Sequence, residues 1–417
     1  MAPPTQLLSG QYNRTAVKDF IIVANGPGEL AGWAVPVAET ARAVAEDPPG
    51  PLRLVLVLPP CQFSSGQEEP FAASLGLFDR IVGPWECLRM VAGLRRMARA
   101  GTGAVLHIGG DLWYAAALAR RLGYPAFAYV EVAFGGRRYR PFRRVFVPSE
   151  RVASRLQAAG VTRDRIEVVG DLRVDALTKF RMHDADGAAP LEATGAPGGR
   201  SAPLVTLVPG GRARLFELGL PYFLEVARRL REGRPDVRVA LAISPFLPPA
   251  MVRAMFERHG PEADALGVIR VHRGQWDVVG RSDLAITIPG TTTVEMAILG
   301  VPALVIMPTQ HPDRIPAEGV LGLVARIPGA ARLLAPVAIP AILRRVRYIA
   351  QPNRTAGREI MPEMIGDLNP AAVAEAALAL LEDDGRRRAM AEDLRRLYAG
   401  QEGAARRVVE GVREALA

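Results

Sequence analysis

The chain has 417 residues, 49% hydrophobic and 23% charged, with 52 Lys and Arg against 43 Asp and Glu and a net charge of +9. Such a composition excludes a largely disordered polymer, and the length exceeds what one ordinary core absorbs, so two domains are expected. The basic excess suits a phosphorylated ligand, an anionic membrane face or nucleic acid, while two cysteines, Cys61 and Cys87, are too few for a disulfide framework and lack metal-ligand spacing, which fits a reducing cytoplasm.

Residues 1–18 lack the basic start and apolar core of a secretory signal and read as a loose arm. Residues 20–24 form a strand pattern that enters Asn25-Gly-Pro-Gly-Glu-Leu-Ala-Gly32, and Pro36 suits the first turn of a following helix. Residues 52–58 are a continuous apolar run, as in a strand buried on both faces. Residues 85–100 carry helical spacing through Leu88, Val91 and Leu94, and residues 104–108 form a strand leading to Gly109-Gly-Asp111 and another helix. Strand patterns at 126–130, 145–147 and 166–169 complete a doubly wound parallel sheet.

Residues 184–202 are small and turn-prone and mark a linker between an N-terminal unit, 1–183, and a second unit, 203–368. Strand patterns recur at 204–208, 237–243 and 268–271. The stretch 282–307 then reads as strand, turn at Pro289-Gly290, helix and strand, with Gly300 and Pro302 closing the helix. Thr291 or Thr292 is placed to cap that helix, whose first-turn N–H groups would favour a diphosphate, and Glu295 lies one turn in, where a carboxylate can receive a pair of sugar hydroxyls. The same pattern also fits an ordinary βαβ crossover. Glu295 and the breaks at Pro289, Gly290, Gly300 and Pro302 argue against a membrane span. Residues 369–417 are helical, expected to pack back on the N-terminal unit or to pair two subunits through their apolar faces.

Four glycine turns follow strand patterns, at 25–28, 109–110, 209–211 and 289–290. None has dinucleotide or phosphate-loop spacing, which disfavours nicotinamide and ATP chemistry. Pro209-Gly-Gly-Arg212 offers backbone N–H groups and a guanidinium, a pairing suited to phosphate.

Pro209-Gly-Gly-Arg-Ala-Arg-Leu-Phe-Glu217, Pro289-Gly-Thr-Thr-Thr-Val-Glu295 and Gln351-Pro-Asn-Arg-Thr-Ala-Gly-Arg-Glu-Ile-Met-Pro-Glu363 resemble the lipid-A-disaccharide synthase family, in order and over most of residues 20–385. The resemblance implies an α/β GT-B fold, two Rossmann-like doubly wound domains facing a central cleft. It also implies inverting transfer of acylated glucosamine from a UDP-sugar to an acylated glucosamine phosphate, with no metal or other cofactor. By the same resemblance, Gly210, Gly211 and Arg212 hold the diphosphate, Gly290, Thr291, Thr292 and Glu295 line the nucleotide, and Asn353 and Arg358 face the donor.

The N-terminal half departs from the family pattern. Asn25-Gly-Pro-Gly-Glu29 stands where Gly-Glu-x-Ser-Gly-Asp is usual, and Asp111-Leu-Trp-Tyr-Ala115 keeps only the first carboxylate of Asp-x-Pro-Asp-Phe. The acceptor, lipid-linked or glycan, is therefore less defined than the donor. Asp111 is the first candidate for the general base and equally a plain helix cap; Glu29 and Glu131 stand in reserve, with His107 behind them. An Asp-x-Asp pattern after His183 falls in the linker and is not read as a metal site. Phe134-Gly-Gly-Arg-Arg-Tyr-Arg-Pro-Phe-Arg-Arg144 sets five arginines among aromatics and reads as a peripheral membrane contact, on the inner face of the cell membrane, or as a solvated loop; no nucleic-acid partner is expected. Alternatives to transfer are a UDP-N-acetylglucosamine 2-epimerase-like isomerase and a non-catalytic nucleotide-sugar-binding protein.

Overall fold

The computed structural model describes residues 18–45, 52–61, 64–97, 101–181, 202–272, 275–310 and 347–414. The sequence-read linker and the Asp-x-Asp pattern fall almost wholly on 182–201, outside the described residues.

The first sheet has seven strands: β1 Lys18–Val23, β2 Leu52–Val57, β3 Arg80–Val82, β4 Thr102–His107, β5 Ala126–Tyr129, β6 Phe142–Val147 and β7 Ile166–Val168. They run parallel in the order β3-β2-β1-β4-β5-β6-β7. The second has six: β8 Leu204–Val208, β9 Arg238–Ala242, β10 Ile269–Val271, β11 Leu284–Thr287, β12 Ala303–Pro308 and β13 Glu363–Gly366, parallel in the order β10-β9-β8-β11-β12-β13. Helices cover both faces, which is why the central strands are apolar without alternation: Ile21, Ile22, Leu54, Val55, Val205, Leu207 and Ile286 are wholly buried. This is the two-domain GT-B architecture expected from the sequence.

In each sheet the winding reverses between two central neighbours, β1 and β4 in the first and β8 and β11 in the second. The four glycine turns of the sequence follow these four strands. Ligands of doubly wound sheets bind outside the carboxyl ends at such switch points.

Three local expectations change. The helix read over 85–100 runs Pro84–Ala92 and stops at Gly93, whose φ of +81° only glycine adopts readily. Strand β3 escaped the pattern because it has three residues and one buried side chain, and β13 because none of its residues is fully buried. The helical C-terminus is divided: the Pro370–Glu382 and Asp384–Tyr398 helices bury Leu380, Leu381, Met390 and Leu394 in the second core, while the Ala404–Glu414 helix returns to the first, where Val408, Val409 and Val412 meet Phe20, Ile22 and Leu54. The apolar side chains proposed to pair subunits are thus used within the chain itself.

Among the described residues the chain passes between the halves twice, and these two passages are tied together. The Leu172–Leu177 helix places Leu172 in the first core and Val174 and Leu177 in the second. Its Asp175 accepts the Gly403 and Ala405 N–H groups at 2.6 and 2.7 Å, and Arg181 pairs with Glu402 at 3.4 Å. Among the described residues no helix is long and apolar enough to cross a membrane.

Candidate active site

The second-sheet wall is made mostly of backbone. After β8, Gly210 has φ +89° and leads through Gly211 to Arg212, the N-cap of the Ala213–Gly233 helix, where no side chain caps the N–H groups. A Cβ on Gly211 would stand 2.9 Å from Ser244 Oγ, so a side chain there would have to displace that hydroxyl. After β11, the cap of the Thr291–Leu299 helix is Gly290, φ +146°, again without a side-chain cap. Neither Thr291 nor Thr292 caps the helix: Thr292 Oγ1 donates to Ile288 O at 3.2 Å, Thr293 Oγ1 donates to Gly290 O at 2.8 Å, and Thr291 is exposed. Two helix starts on neighbouring strands therefore present uncapped N–H groups, an anion cradle with Arg212 at its side. Glu295, one turn inside, is half-buried, and burial pushes its carboxyl up to about 7, with Arg173 opposing.

The first-sheet wall is made of charged side chains. Behind β1 the chain makes one helical turn, Pro27–Glu29, and a π-turn, Leu30–Ala34, before the Val35–Ala45 helix; such widened turns recur at functional sites. Glu29 folds back between the two glycine turns of this sheet: a Cβ on Gly26 would collide with its carboxylate, and one on Gly109 would lie 2.6 Å from its Cγ. Burial raises its pKa and Glu131 adds to the rise; its own backbone hydrogen bond, Arg173 and Arg212 oppose it. Arg212 belongs to the other wall, and its charge is the weakest of those acting on Glu29. The walls also meet where a Cβ on Gly28 would lie 3.6 Å from Thr291 Oγ1.

Glu131 was read as a reserve carboxylate, whereas Arg173, which binds it, escaped the sequence reading. This guanidinium is 3% exposed, bonds Asp171 and Glu131, and lies 5.6 Å from the Trp33 ring centroid. Burial works against its charge, but Asp171 and Glu131 outweigh burial and keep it protonated. Removing one partner of so buried a pair costs about 3–5 kcal/mol. Glu131, at the carboxyl end of β5, also accepts Gln351 Nε2 at 2.8 Å, a side-chain bond between the halves. Only the Gly-Asp before Arg173 marked this region in the sequence, and an arginine inside an apolar helix start carries no motif.

Asp111 opens the Leu112–Leu122 helix as an exposed N-cap, accepting Trp113 N–H at 2.9 Å. His107 is buried inside β4, where burial lowers its pKa to about 4, opposed by Asp111, leaving the ring neutral. Two residues assigned to the donor are engaged elsewhere. Asn353 is wholly buried; its amide donates to Met361 O and Glu363 Oε1 and accepts from the Ile360 and Met361 N–H groups at 2.7–2.9 Å, which exhausts it. It staples residues 349–363 and thereby aims Gln351, with Glu363 holding the Ile349 and Ala350 N–H groups. Arg358 is exposed and pairs with Asp393 at 2.8 Å.

In segment 134–144, Tyr139 and Phe142 are buried and cannot anchor to a surface, whereas Phe134 is 50% exposed with Arg138 5.8 Å from its ring centroid. Arg137, Arg138, Arg140 and Arg143 are exposed, and Trp113 is 57% exposed on the Leu112–Leu122 helix.

No protein-family model matches the chain. Its sequence is similar to curated proteins named lipid-A-disaccharide synthase. It is 29% identical to that of Anaeromyxobacter dehalogenans over 223 residues, 53% of this chain and 51% of the relative. It is 31% identical to that of Syntrophus aciditrophicus over 206 residues, 49% and 47% of the two chains, and 26% identical to that of Myxococcus xanthus over 220 residues, 52% and 50%. The chain matches about half the length of these relatives. Among solved structures it is similar to a candidate UDP-N-acetylglucosamine 2-epimerase from Listeria monocytogenes (TM-score 0.59, 16% identity, 96% of each chain). It is also similar to UDP-GlcNAc 2-epimerase from Neisseria meningitidis bound to UDP-GlcNAc (TM-score 0.54, 13% identity, 95% and 100%). At such identities the structural likeness speaks for the fold.

Proposed function

We propose that the chain is an inverting glycosyltransferase that moves a glucosamine unit, acylated or not, from a UDP-sugar to a lipid-linked or glycan acceptor. The observation that carries this reading is the placement of Glu29, with its raised pKa, opposite Arg212 and two uncapped helix starts. The helix starts and Arg212 receive the diphosphate, and Glu295 receives nucleotide hydroxyls. Glu29 takes the acceptor's hydroxyl proton as that oxygen attacks C1 from the face opposite the diphosphate. The C1–O bond to UDP breaks, and the charge gathering on UDP falls on the N–H groups and guanidinium. Asp111 serves as the helix cap, and no metal takes part.

Incubation with UDP-N-acetylglucosamine, with and without acylated acceptors, tests this: UDP release that requires the acceptor supports transfer. A second reading, an isomerase of the UDP-N-acetylglucosamine 2-epimerase kind, is favoured by a second carboxylate on the same wall, Glu131, whose charge helps to raise the Glu29 pKa. Epimer or UDP released without acceptor would establish it instead. The exposed arginines of 134–144 with Phe134 and Trp113 support a peripheral contact with the inner membrane face; replacing Arg137 with Gln should lower binding to anionic vesicles about fivefold, near 1 kcal/mol per basic residue. Equal sedimentation of both proteins with vesicles would exclude the segment.

A further inference from the structure

The nucleotide cradle accounts for the UDP part of a donor and leaves its sugar unassigned. A sugar attached to a diphosphate at the Ala213 and Thr291 helix starts extends toward the opposite wall, which approaches closely at Gly28. On that wall Glu131 is distinguished by how it is held. Its Oε1 accepts both Arg173 and, at 2.8 Å, Gln351 from the other half; among the described residues its Oε2 takes no hydrogen bond, and the side chain keeps 24% exposure. A carboxylate has acceptor capacity for about four bonds, so half of it remains directed away from its two partners. Arg173 is itself locked: Asp171 accepts its Nε at 2.9 Å and its Nη2 at 2.6 Å, its guanidinium carbon lies over the Trp33 ring, and a Cβ on Gly32 would press against its Cγ at 2.9 Å. A buried, rigid cation that grips one oxygen of a carboxylate still open to solvent is a device for aiming the other.

We propose that Glu131 is the group that receives a hydroxyl of the donor's sugar, and that Arg173 is the positioning residue that holds it for that purpose. The proposal rests on the nucleotide-sugar reading above and adds to it a sugar subsite on the N-terminal half, formed by a carboxylate that the motifs of the C-terminal half do not contain. Glu131 and Gln351 come from opposite walls, so the subsite is complete only when the halves are apposed. A bond to a charged acceptor implies that its loss weakens sugar-bearing ligands specifically, by about tenfold to a hundredfold.

The test is calorimetry with two probes, UDP and UDP-N-acetylglucosamine, on the full chain and on Glu131→Gln, which keeps the shape and removes the charge. The expected result is a tenfold or greater loss of UDP-N-acetylglucosamine affinity with UDP affinity within twofold of the parent. Equal losses for both probes, or no loss for either, overturn the subsite. Arg173→Lys keeps the charge but loses the planar fork and should show the same selective loss in milder form; Arg173→Met should show it fully, with melting curves confirming that the protein tested is folded. If Arg173→Met does not fold, Arg173→Lys decides the positioning role, and parental affinity for both probes in that variant overturns it. Failure of the parent to bind UDP would instead remove the nucleotide-sugar reading, an outcome distinct from the loss of selectivity.

Discussion

The two walls of the cleft are built from different materials. The second-sheet wall is mostly backbone: glycine turns at 210–211 and 290 and two helix starts without side-chain caps, with Arg212 at one of them. The first-sheet wall is made of side chains, where Asp171 and Glu131 hold the buried Arg173 and the Glu29 carboxylate is folded beneath Gly26 and Gly109. A backbone site tolerates sequence change everywhere except at its glycines and its cation. A side-chain site can be rebuilt for a new substrate by a few substitutions, and it is the first-sheet wall that departs from the family pattern.

This contrast predicts unequal responses to mutation. Glu29→Gln should cost the most, lowering turnover by about 10²–10⁴ while UDP affinity holds, since it removes only the proton acceptor; a fully active variant would move the base off this wall. Arg212→Ala should weaken UDP binding by about 1.5–3 kcal/mol, seen by calorimetry, and an unchanged value would remove the cation from the cradle. The Glu295 carboxyl, raised to about 7, makes the folded state hold a proton that the unfolded chain releases near the ordinary carboxylate range. Its contribution to stability is therefore full below about 4.5 and lost as pH rises through 7, on the order of 1–3 kcal/mol. Glu295→Gln should flatten the melting temperature between those limits, and an identical pH profile would refute the assignment. The smallest effect is expected from Asp111→Asn. Asn caps helices about as well as Asp, so turnover and melting temperature should barely move; a hundredfold fall in turnover would transfer the base to Asp111.

What the sequence made legible follows the same division. Continuous apolar runs such as 52–58 and 204–208 announce buried parallel strands, and glycine turns behind them announce the switch points, because both are local in the chain. The pairing of Glu131 with Arg173 and Gln351 joins residues 42 and 220 positions apart, and no spacing rule encodes it. Asn353 shows the converse: its motif marks the right segment, but the amide is consumed in shaping that segment, and its neighbour Gln351 reaches the cleft. Arg358 was assigned from the same motif, and its partner Asp393, on a separate helix, could not be seen from the motif alone. Glu29 was legible as a candidate, whereas the burial that raises its pKa depends on Gly26 and Gly109 closing over it.

The knot where Asp175 takes the Gly403 and Ala405 N–H groups and Arg181 meets Glu402 gives the molecule an axle. Both passages between the lobes among the described residues run through that patch, so a swing of one lobe against the other would move each pair of facing groups in proportion to its distance from the patch. Away from the axle, Phe246 of the second lobe is buried in the first core with its ring centroid 4.5 Å from that of Phe71, so parting the jaws draws that ring out of a core to which its own lobe does not belong.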